Sequence, residues 1–234
     1  MHSTRKKMRI GVNIWMPDST ALRSLWHNNS LFILAIVQSM LFGVLTCWVY
    51  KHRVDMGEIK LSRSATKKRS HLLRSVVTII SNVSGSPLAV SVAAAFVALA
   101  LWKKRLKFED ALFTGSLLAL IPARALIRGI VRRPRPGLFI ARIHGRKRGD
   151  SFPSGHVSTS IIFYGWFSVV SKSLLPENSV WQKVLPRLSI VMALLVGPTR
   201  IYLGDHWVSD VLGGYLFGGI FLCLSLHLYH ALKQ

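Results

Sequence analysis

The feature that most constrains the fold of this chain is a series of long apolar runs that carry few charges. Residues 31–50 contain no charged side chain and are enough for a helix to cross a hydrocarbon layer of about 30 Å. Similar runs follow at 87–102, 111–131, 157–175, 188–203 and 208–229. We therefore predict an all-α fold, an integral-membrane bundle of about six transmembrane helices, in which flanking Trp, Lys and Arg support the shorter spans.

Two other classes of protein are disfavoured by this composition. A soluble all-helical protein would need core helices that run uncharged for this length, which is rare. The net charge of +22, from 31 basic and 9 acidic residues, is large enough for nucleic-acid binding, but no nucleic-acid-binding motif is present. For a membrane protein, the expected binding partners of such an excess of positive charge are the anionic lipid headgroups at the membrane surfaces.

The chain divides into a basic leader and a membrane domain. We expect residues 1–30 to form a cytoplasmic leader and residues 31–234 to form the membrane domain. The first apolar run is longer than the core of a cleaved signal peptide, so we expect it to remain as an anchor. The apolar segment at about 70–84 is too short to cross the bilayer, which predicts a helix at the interface. Basic residues are shared almost evenly between the two predicted sides, so the positive-inside rule leaves the orientation open.

The first polar cluster lies at the end of the third apolar run. Arg124 and Arg128 are four residues apart, so a helix places them on one face, inside or at the edge of the bilayer. An ionisable residue at that depth is costly and usually faces a polar cavity. Prolines on both sides of Arg135 stiffen the chain there, and a guanidinium fork suits two-point contact with phosphate. We expect Arg128 and Arg135 to bind an anion, whereas Arg132 and Arg133 fit an ordinary basic span end equally well.

The second cluster is the segment Ser-Phe-Pro-Ser-Gly-His at 151–156, directly before the fourth apolar run. A helix that starts here presents unpaired backbone N–H groups and the positive end of its dipole, which together form an anion site. Ser154 adds a hydroxyl donor, and Gly155 lets an oxyanion approach the backbone closely. His156 can give or take a proton near neutral pH. Pro-Ser-Gly is also a common turn, so this cluster alone is weak evidence.

The third cluster spans 199–210, at the junction of the last two apolar runs. His206 and Asp210 are four residues apart and share one face of a helix. A carboxylate that holds one imidazole nitrogen leaves the other free to attack or to accept a proton. Arg200 adds a cation at the same depth. Which histidine attacks stays open on the residues alone, although the carboxylate at helical spacing favours His206 over His156.

Together, the three clusters resemble the type 2 phosphatidic acid phosphatase superfamily, which includes lipid phosphatases and haloperoxidases. The order and separation of its signature motifs are kept in Arg128-x6-Arg135-Pro136, Pro153-Ser154-Gly155-His156 and Arg200-x5-His206-x3-Asp210. The similarity extends from the predicted interfacial helix to the last span, with active-site loops at 128–156 and 199–210. Two positions differ: the family usually has lysine where this chain has Arg128, and serine where it has Thr199.

The resemblance implies a lipid phosphatase of the membrane-bound branch and assigns a role to each matching residue. His206 would be the nucleophile that forms a phosphohistidine, Asp210 would orient it, and His156 would protonate the leaving lipid oxygen. The phosphate oxygens would be held by Arg128, Arg135, Ser154, Gly155 and Arg200. The resemblance also implies a multi-pass protein of the cell (inner) membrane with its active site on the outer, periplasmic face and both termini in the cytoplasm.

The acidic residues argue against a metal-assisted mechanism, so we expect no metal and no cofactor. Of the nine acidic residues, only Asp150, Asp205 and Asp210 lie near the clusters. Mg²⁺-assisted phosphoryl transfer generally uses carboxylates as ligands. One carboxylate is committed to His206, and arginines stand where the metal would be.

Three other functions remain as alternatives. A lipid-to-lipid phosphotransferase would use identical residues. A vanadate-dependent haloperoxidase shares this pocket, but those enzymes are soluble and larger. A non-enzymatic transporter would leave the Ser-Gly-His turn unexplained. The lipid is also open among phosphatidic acid, diacylglycerol diphosphate, phosphatidylglycerol phosphate, undecaprenyl diphosphate and the phosphates of lipid A. The compact size favours a bacterial enzyme, hence undecaprenyl diphosphate or a glycerophospholipid, and the oligomeric state is not predicted.

Overall fold

Long helices account for almost all of the chain that the computed structural model describes, which is residues 19–67, 70–85, 87–139 and 149–233. In these ranges there is no β-strand. The helices are α1 (Ser19–Lys51), α2 (Met56–Lys67), α3 (His71–Gly85), α4 (Pro87–Lys103), α5 (Lys107–Val131), α6 (Gly155–Leu174), α7 (Trp181–Tyr202) and α8 (Val208–Leu232), with a 3₁₀ turn at Pro136–Leu138. Most of the leader predicted at 1–30 lies outside the described residues.

Four helices in the described ranges are long and apolar enough to cross a membrane, namely α1 from Asn29, α5, α7 and α8. Large apolar side chains on their outer faces are open to the surroundings, among them Met40 at 66%, Val44 at 71% and Leu126 at 65% exposure. Such a surface is costly in water and suits lipid. The count of six spans is not confirmed, because α4 is shorter than these four helices and α6 is not among them.

Helix α6 is surrounded by other helices. It packs between α7 and α8 and also contacts α4 and α5. Its buried residues include Trp166, Ile162 and several serines. Helix α6 therefore packs against other helices, whereas the outer helices have apolar faces that suit lipid. Serine hydroxyls there bond to the helix itself, as Ser158 does to the Gly155 carbonyl at 3.3 Å. A helix that does not face lipid needs less apolar surface.

Glycines let α8 approach α6 closely. A Cβ added to Gly214 would lie 2.9 Å from the Ser154 carbonyl oxygen, and one added to Gly218 would lie 2.6 Å from that of Ser158. Real side chains avoid such distances, so only glycine allows the two backbones to meet. This contact brings the first turn of α8 beside the start of α6.

Helix α3 matches the segment predicted as an interfacial helix at about 70–84. It packs mainly on α7 and then on α4 and α6. Its place at the membrane surface stays a prediction. Its buried Ser81 faces α7, which gives this helix a part in the polar end of the bundle.

One end of the bundle collects the polar motifs. The end of α5, the segment 132–139, the start of α6, the end of α7 and the start of α8 all meet there. Backbone hydrogen bonds join these pieces: the Ser151 N–H donates to the Arg133 carbonyl at 2.9 Å, and the Ser154 N–H donates to the Asp210 carbonyl at 3.0 Å. Motifs that are distant in sequence therefore form one site.

Candidate active site

His206 and Asp210 face each other at the junction of α7 and α8, as their spacing predicts. Both are buried, and His206 Nδ1 lies 3.4 Å from Asp210 Oδ2, within ion-pair distance but without the alignment of a full hydrogen bond. The same carboxylate oxygen accepts the Trp207 N–H at 2.9 Å, which fixes it at the first turn of α8. Since Nδ1 faces the carboxylate, Nε2 is the nitrogen left toward the arginines, 3.5 Å from Arg135 Nη1.

The environment of His206 favours its neutral form. Burial lowers the pKa of His206 below its usual value, and the nearby Arg135 and Arg200 charges act in the same direction, whereas Asp210 opposes them. A neutral imidazole has a free lone pair on one nitrogen. At neutral pH the Nε2 atom is therefore available as a nucleophile.

His156 lies in the first turn of α6, on the other side of the same space. The centroids of the His156 and His206 rings are 6.4 Å apart, with the ring planes at 63°. At this distance the two imidazoles can reach the same phosphoryl group, one at phosphorus and the other at an oxygen. The structure therefore brings together the two histidines that the sequence singles out.

Two arginines at the site, Arg128 and Arg135, form no ion pair with any carboxylate among the described residues. Arg128, at the last turn of α5, makes no side-chain hydrogen bond within the described part of the chain, and its Nε is buried. Arg135 is held by two carbonyls, those of Asp205 at 3.0 Å and Asp150 at 3.4 Å. Carbonyl acceptors orient the guanidinium without cancelling its charge, so both arginines can attract an anion.

Arg200 differs from these two because it is paired. Its terminal nitrogens bind the Asp205 carboxylate and the Ser81 hydroxyl of α3. Of its three nitrogens, Nε has no hydrogen-bond partner among the described residues. Arg200 therefore keeps at least one N–H, that of Nε, to offer a ligand.

The start of α6 carries the donors that the Pro-Ser-Gly-His motif predicts for an anion site. The Ser154 side chain is fully buried, and its Oγ has no hydrogen-bond partner in the part of the chain that the structure describes. Leaving such a hydroxyl unsatisfied costs about 1–3 kcal/mol, so a ligand that bonds to it gains binding free energy. Gly155 follows as the first helical residue, where backbone N–H groups of the first turn have no intrahelical acceptor.

A buried charge network behind His206 is the feature that sequence reasoning missed. The Arg133 guanidinium donates to Asp210 Oδ1 at 2.7 Å and to Ser209 Oγ at 2.6 Å. Its other nitrogens bind the Glu58 carboxylate and the Arg53 carbonyl, the latter at 2.9 Å. Glu58 in turn accepts two hydrogen bonds from Ser209, from the backbone N–H at 2.9 Å and from Oγ at 2.7 Å. Asp210 is thus held on one side by Arg133 and on the other by the His206 turn.

This network decides between the two interpretations of the basic pair Arg132 and Arg133. Arg132 is exposed and donates to the Gly129 carbonyl at 2.9 Å, as an ordinary basic span end would. For Arg133 that interpretation is wrong, because the residue is fully buried. No local pattern marks Glu58, which lies 75 residues from Arg133. The one feature of the sequence that could have drawn attention to Glu58 is that acidic residues are few, 9 against 31 basic ones.

An apolar cavity of about 470 Å³ leads away from the site. Small and branched residues of α4 and α5 form most of its wall, and Thr159 of α6 completes it. Its polar end consists of Arg124, Arg128, Arg135, Gly155 and His156. The arrangement has the form of an anion site joined to a space for an apolar group. Among the described residues, no three His, Cys, Asp or Glu side chains are grouped so as to hold a metal ion.

Comparison with known proteins places the site motifs in a family. Residues 111–234 match the model of the PAP2 superfamily. Phosphatidylglycerophosphatase B of Bacillus subtilis (strain 168) is 28% identical over 188 residues, which cover 76% of this chain and 86% of that protein. Lipid A 1-phosphatase of Rhizobium etli is 33% identical over 135 residues, 55% of this chain and 51% of that protein. The chain thus spans most of the first relative and about half of the second.

The fold has a counterpart of known structure. The crystal structure of a transmembrane PAP2 type phosphatidylglycerolphosphate phosphatase from Bacillus subtilis superposes with a TM-score of 0.75 at 24% sequence identity. The match covers 86% of this chain and 98% of that one. Together with the long apolar helices, this likeness confirms the predicted fold class, an all-α integral-membrane bundle.

Proposed function

The chain belongs to the PAP2 superfamily, and on that basis we propose that it hydrolyses a phosphomonoester or diphosphate of a membrane lipid without a metal ion. The observation that carries this proposal is that His156, Arg128 and Arg135 line the polar end of an apolar cavity, while the ring of His206 lies 6.4 Å from that of His156. The relatives named above are phosphatases whose names refer to phosphatidylglycerol phosphate and lipid A, which supports a lipid substrate.

The first step forms a phosphohistidine. His206 Nε2 attacks phosphorus, the P–N bond forms, and the P–O bond to the lipid breaks in line with the attack. His156 gives its proton to the departing lipid oxygen, so the leaving group is a neutral hydroxyl or a protonated phosphate. Asp210 stabilises the charge that develops on the His206 ring.

The second step regenerates the enzyme. His156, now neutral, takes a proton from a water molecule that attacks the phosphorus of the phosphohistidine. The P–N bond breaks, inorganic phosphate leaves, and His206 recovers its lone pair. Each histidine ends the cycle as it began, so the cycle needs no cofactor.

The transition state is stabilised by donors that lack either a carboxylate or a hydrogen-bond partner among the described residues. Arg128 and Arg135 provide charge, Ser154 Oγ and the Gly155 N–H provide neutral donors, and Arg200 provides its free Nε–H. Donors fixed before the reaction stabilise developing charge without reorganising during it. The apolar wall of α4 and α5 receives the lipid part of the substrate.

The proposal includes a location. We place the protein in the cell (inner) membrane with the site on the outer, periplasmic face and both termini in the cytoplasm. Anionic lipid headgroups at the membrane surfaces are the partners proposed for the excess of basic residues.

Phosphate release from a panel of lipids by the detergent-solubilised protein tests the function. The panel is phosphatidic acid, phosphatidylglycerol phosphate, a lipid A phosphate and undecaprenyl diphosphate. We expect His206→Ala to abolish turnover, EDTA to leave it unchanged and vanadate to inhibit. The exposed His230 gives a matched control, since His230→Ala should retain full activity. Turnover that survives in His206→Ala, or that requires Mg²⁺, contradicts the mechanism, and transfer to an added second lipid identifies a phosphotransferase.

A further inference from the structure

Arg124 lies at the polar end of the cavity but matches none of the signature motifs. It precedes Arg128 by one helical turn on α5, which puts it about 6 Å farther from the end of the helix. Its guanidinium packs against the backbone of Gly155: a Cβ added there would lie 2.9 Å from Arg124 Cζ. The side chain is half-buried, so its charge is partly removed from water at the end of an apolar helix.

Arg124 also has no protein partner within the described residues. Arg133 and Arg200 each pair with a carboxylate, whereas Arg124 makes neither an ion pair nor a hydrogen bond. The cavity therefore has three guanidiniums whose charge no described carboxylate pairs with: Arg124, Arg128 and Arg135. An ionisable side chain near the membrane interior is expected to face a polar ligand or a partner.

The position of Arg124 is on the side of the leaving group. The cavity that it lines includes His156 but not His206. In an in-line displacement the leaving group departs opposite the attacking atom. Since His206 attacks and His156 protonates the leaving oxygen in the proposed mechanism, Arg124 stands beside the part of the substrate that leaves.

The number of free charges exceeds what one phosphate needs. A phosphomonoester carries about −1.5 to −2 near neutral pH, which Arg128 and Arg135 can balance. We propose that Arg124 binds a second phosphate group in the leaving part of the substrate, so that the enzyme prefers lipids with two phosphates over lipids with one. This inference rests on the proposed function. The second phosphate can belong to a diphosphate or to a phosphodiester in the headgroup, and the shared chemistry is an anionic phosphate in the leaving part of the substrate.

Three lipids with the same diacylglycerol tails test this preference: phosphatidic acid, diacylglycerol diphosphate and phosphatidylglycerol phosphate. We expect Arg124→Met to lower kcat/KM about 10- to 100-fold on at least one two-phosphate lipid, the range for a lost charged hydrogen bond. On phosphatidic acid the loss should stay below about 3-fold, since no second anion is present. Arg124→Lys, which keeps the charge, should recover part of the lost rate. Loss on the diphosphate or on the phosphodiester lipid identifies which source the subsite accepts.

Two controls separate the possible failures. Arg187 is exposed on α7, far from the cavity, so Arg187→Met should leave all three rates unchanged. Thermal unfolding in detergent checks that each variant is folded. Equal losses on all three lipids would make Arg124 part of the primary phosphate site, and no loss on any would give it no role; either result overturns the inference. A wild-type protein that releases phosphate neither from these three lipids nor from the lipid A phosphate and undecaprenyl diphosphate of the wider panel defeats the proposed function instead.

Discussion

At the scale of single residues, Asp210 depends on groups far away in the sequence. Its carboxylate is shared between Arg133 at 2.7 Å and the His206 ring at 3.4 Å, so its charge acts in two directions. Glu58 weakens the attraction between Arg133 and Asp210, because it gives the Arg133 guanidinium a second carboxylate to pair with. The strength with which Asp210 holds His206 is therefore set in part from α2.

Replacing Glu58 with glutamine tests this dependence. Without the second carboxylate, Arg133 should draw more strongly on Asp210, and His206 should be less well oriented for attack. We expect Glu58→Gln to lower kcat about tenfold while KM changes little, as for an interaction made only in the transition state. The measurement is the rate of phosphate release as a function of lipid concentration.

Loss of fold is the competing explanation for such a result. Breaking a buried ion pair can cost about 3–5 kcal/mol of stability, so thermal unfolding is followed in the same samples. The exposed Glu177 gives the matched control, since Glu177→Gln removes a charge far from the network. A variant whose KM rises as much as its kcat falls would show that Glu58 acts on substrate binding and not on His206.

At the scale of helices, the approach of α8 to α6 sets the distance between the two halves of the site. Asp210 and His206 lie at the start of α8, and Ser154 and His156 lie at the start of α6. The two helix starts touch at Gly214, where the Ser154 carbonyl leaves no room for a Cβ. A side chain there must push the two starts apart.

Gly214→Ala should therefore lower both stability and activity. Overpacking at such a contact costs about 1–3 kcal/mol, and a shift of the phosphate donors should add a loss of turnover. Gly43 on α1 is the control, because a Cβ there meets nothing within 4 Å. Gly43→Ala should keep full activity and be no less stable, since alanine favours helix. Thermal unfolding and phosphate release in detergent measure both effects, and an active, stable Gly214→Ala protein contradicts the packing argument.

The sequence predicts the parts of this site that depend on local spacing. His206 and Asp210 share a helical face, and the Pro-Ser-Gly-His segment starts a helix, because short-range geometry decides both. Arg133 could not be assigned, since its burial depends on Glu58, which reaches it only through tertiary packing. The buried serines of α6 are a similar case: the pattern gives the length of the helix, but only the surrounding helices explain why it tolerates so many serines.

At the scale of the whole molecule, the site lies at one end of the bundle, and the start of α1 and the end of α8 lie at the other. The end of α8 is tied to the start of α5 by Lys233 and Glu109, 2.8 Å apart, whereas the other end of each helix enters the site. The turn after α6 is at this far end too, since Lys104 donates to the Ser173 carbonyl at 3.0 Å. Helix α1 begins at the far end and finishes near Arg53, beside the site.

This arrangement turns the proposed location into a labelling experiment. Arg53 is exposed at the site end, and Glu177 is exposed in the turn at the far end. In a background where Cys47 and Cys223 are replaced by alanine, we expect Arg53→Cys to react with a membrane-impermeant maleimide on intact cells. Glu177→Cys should react only after the membrane is opened, because a charged reagent does not cross the hydrocarbon layer. The reverse pattern would place the site in the cytoplasm. It would not change the chemistry proposed for His206. Phosphate release by both variants in detergent would verify that each one is still an active enzyme.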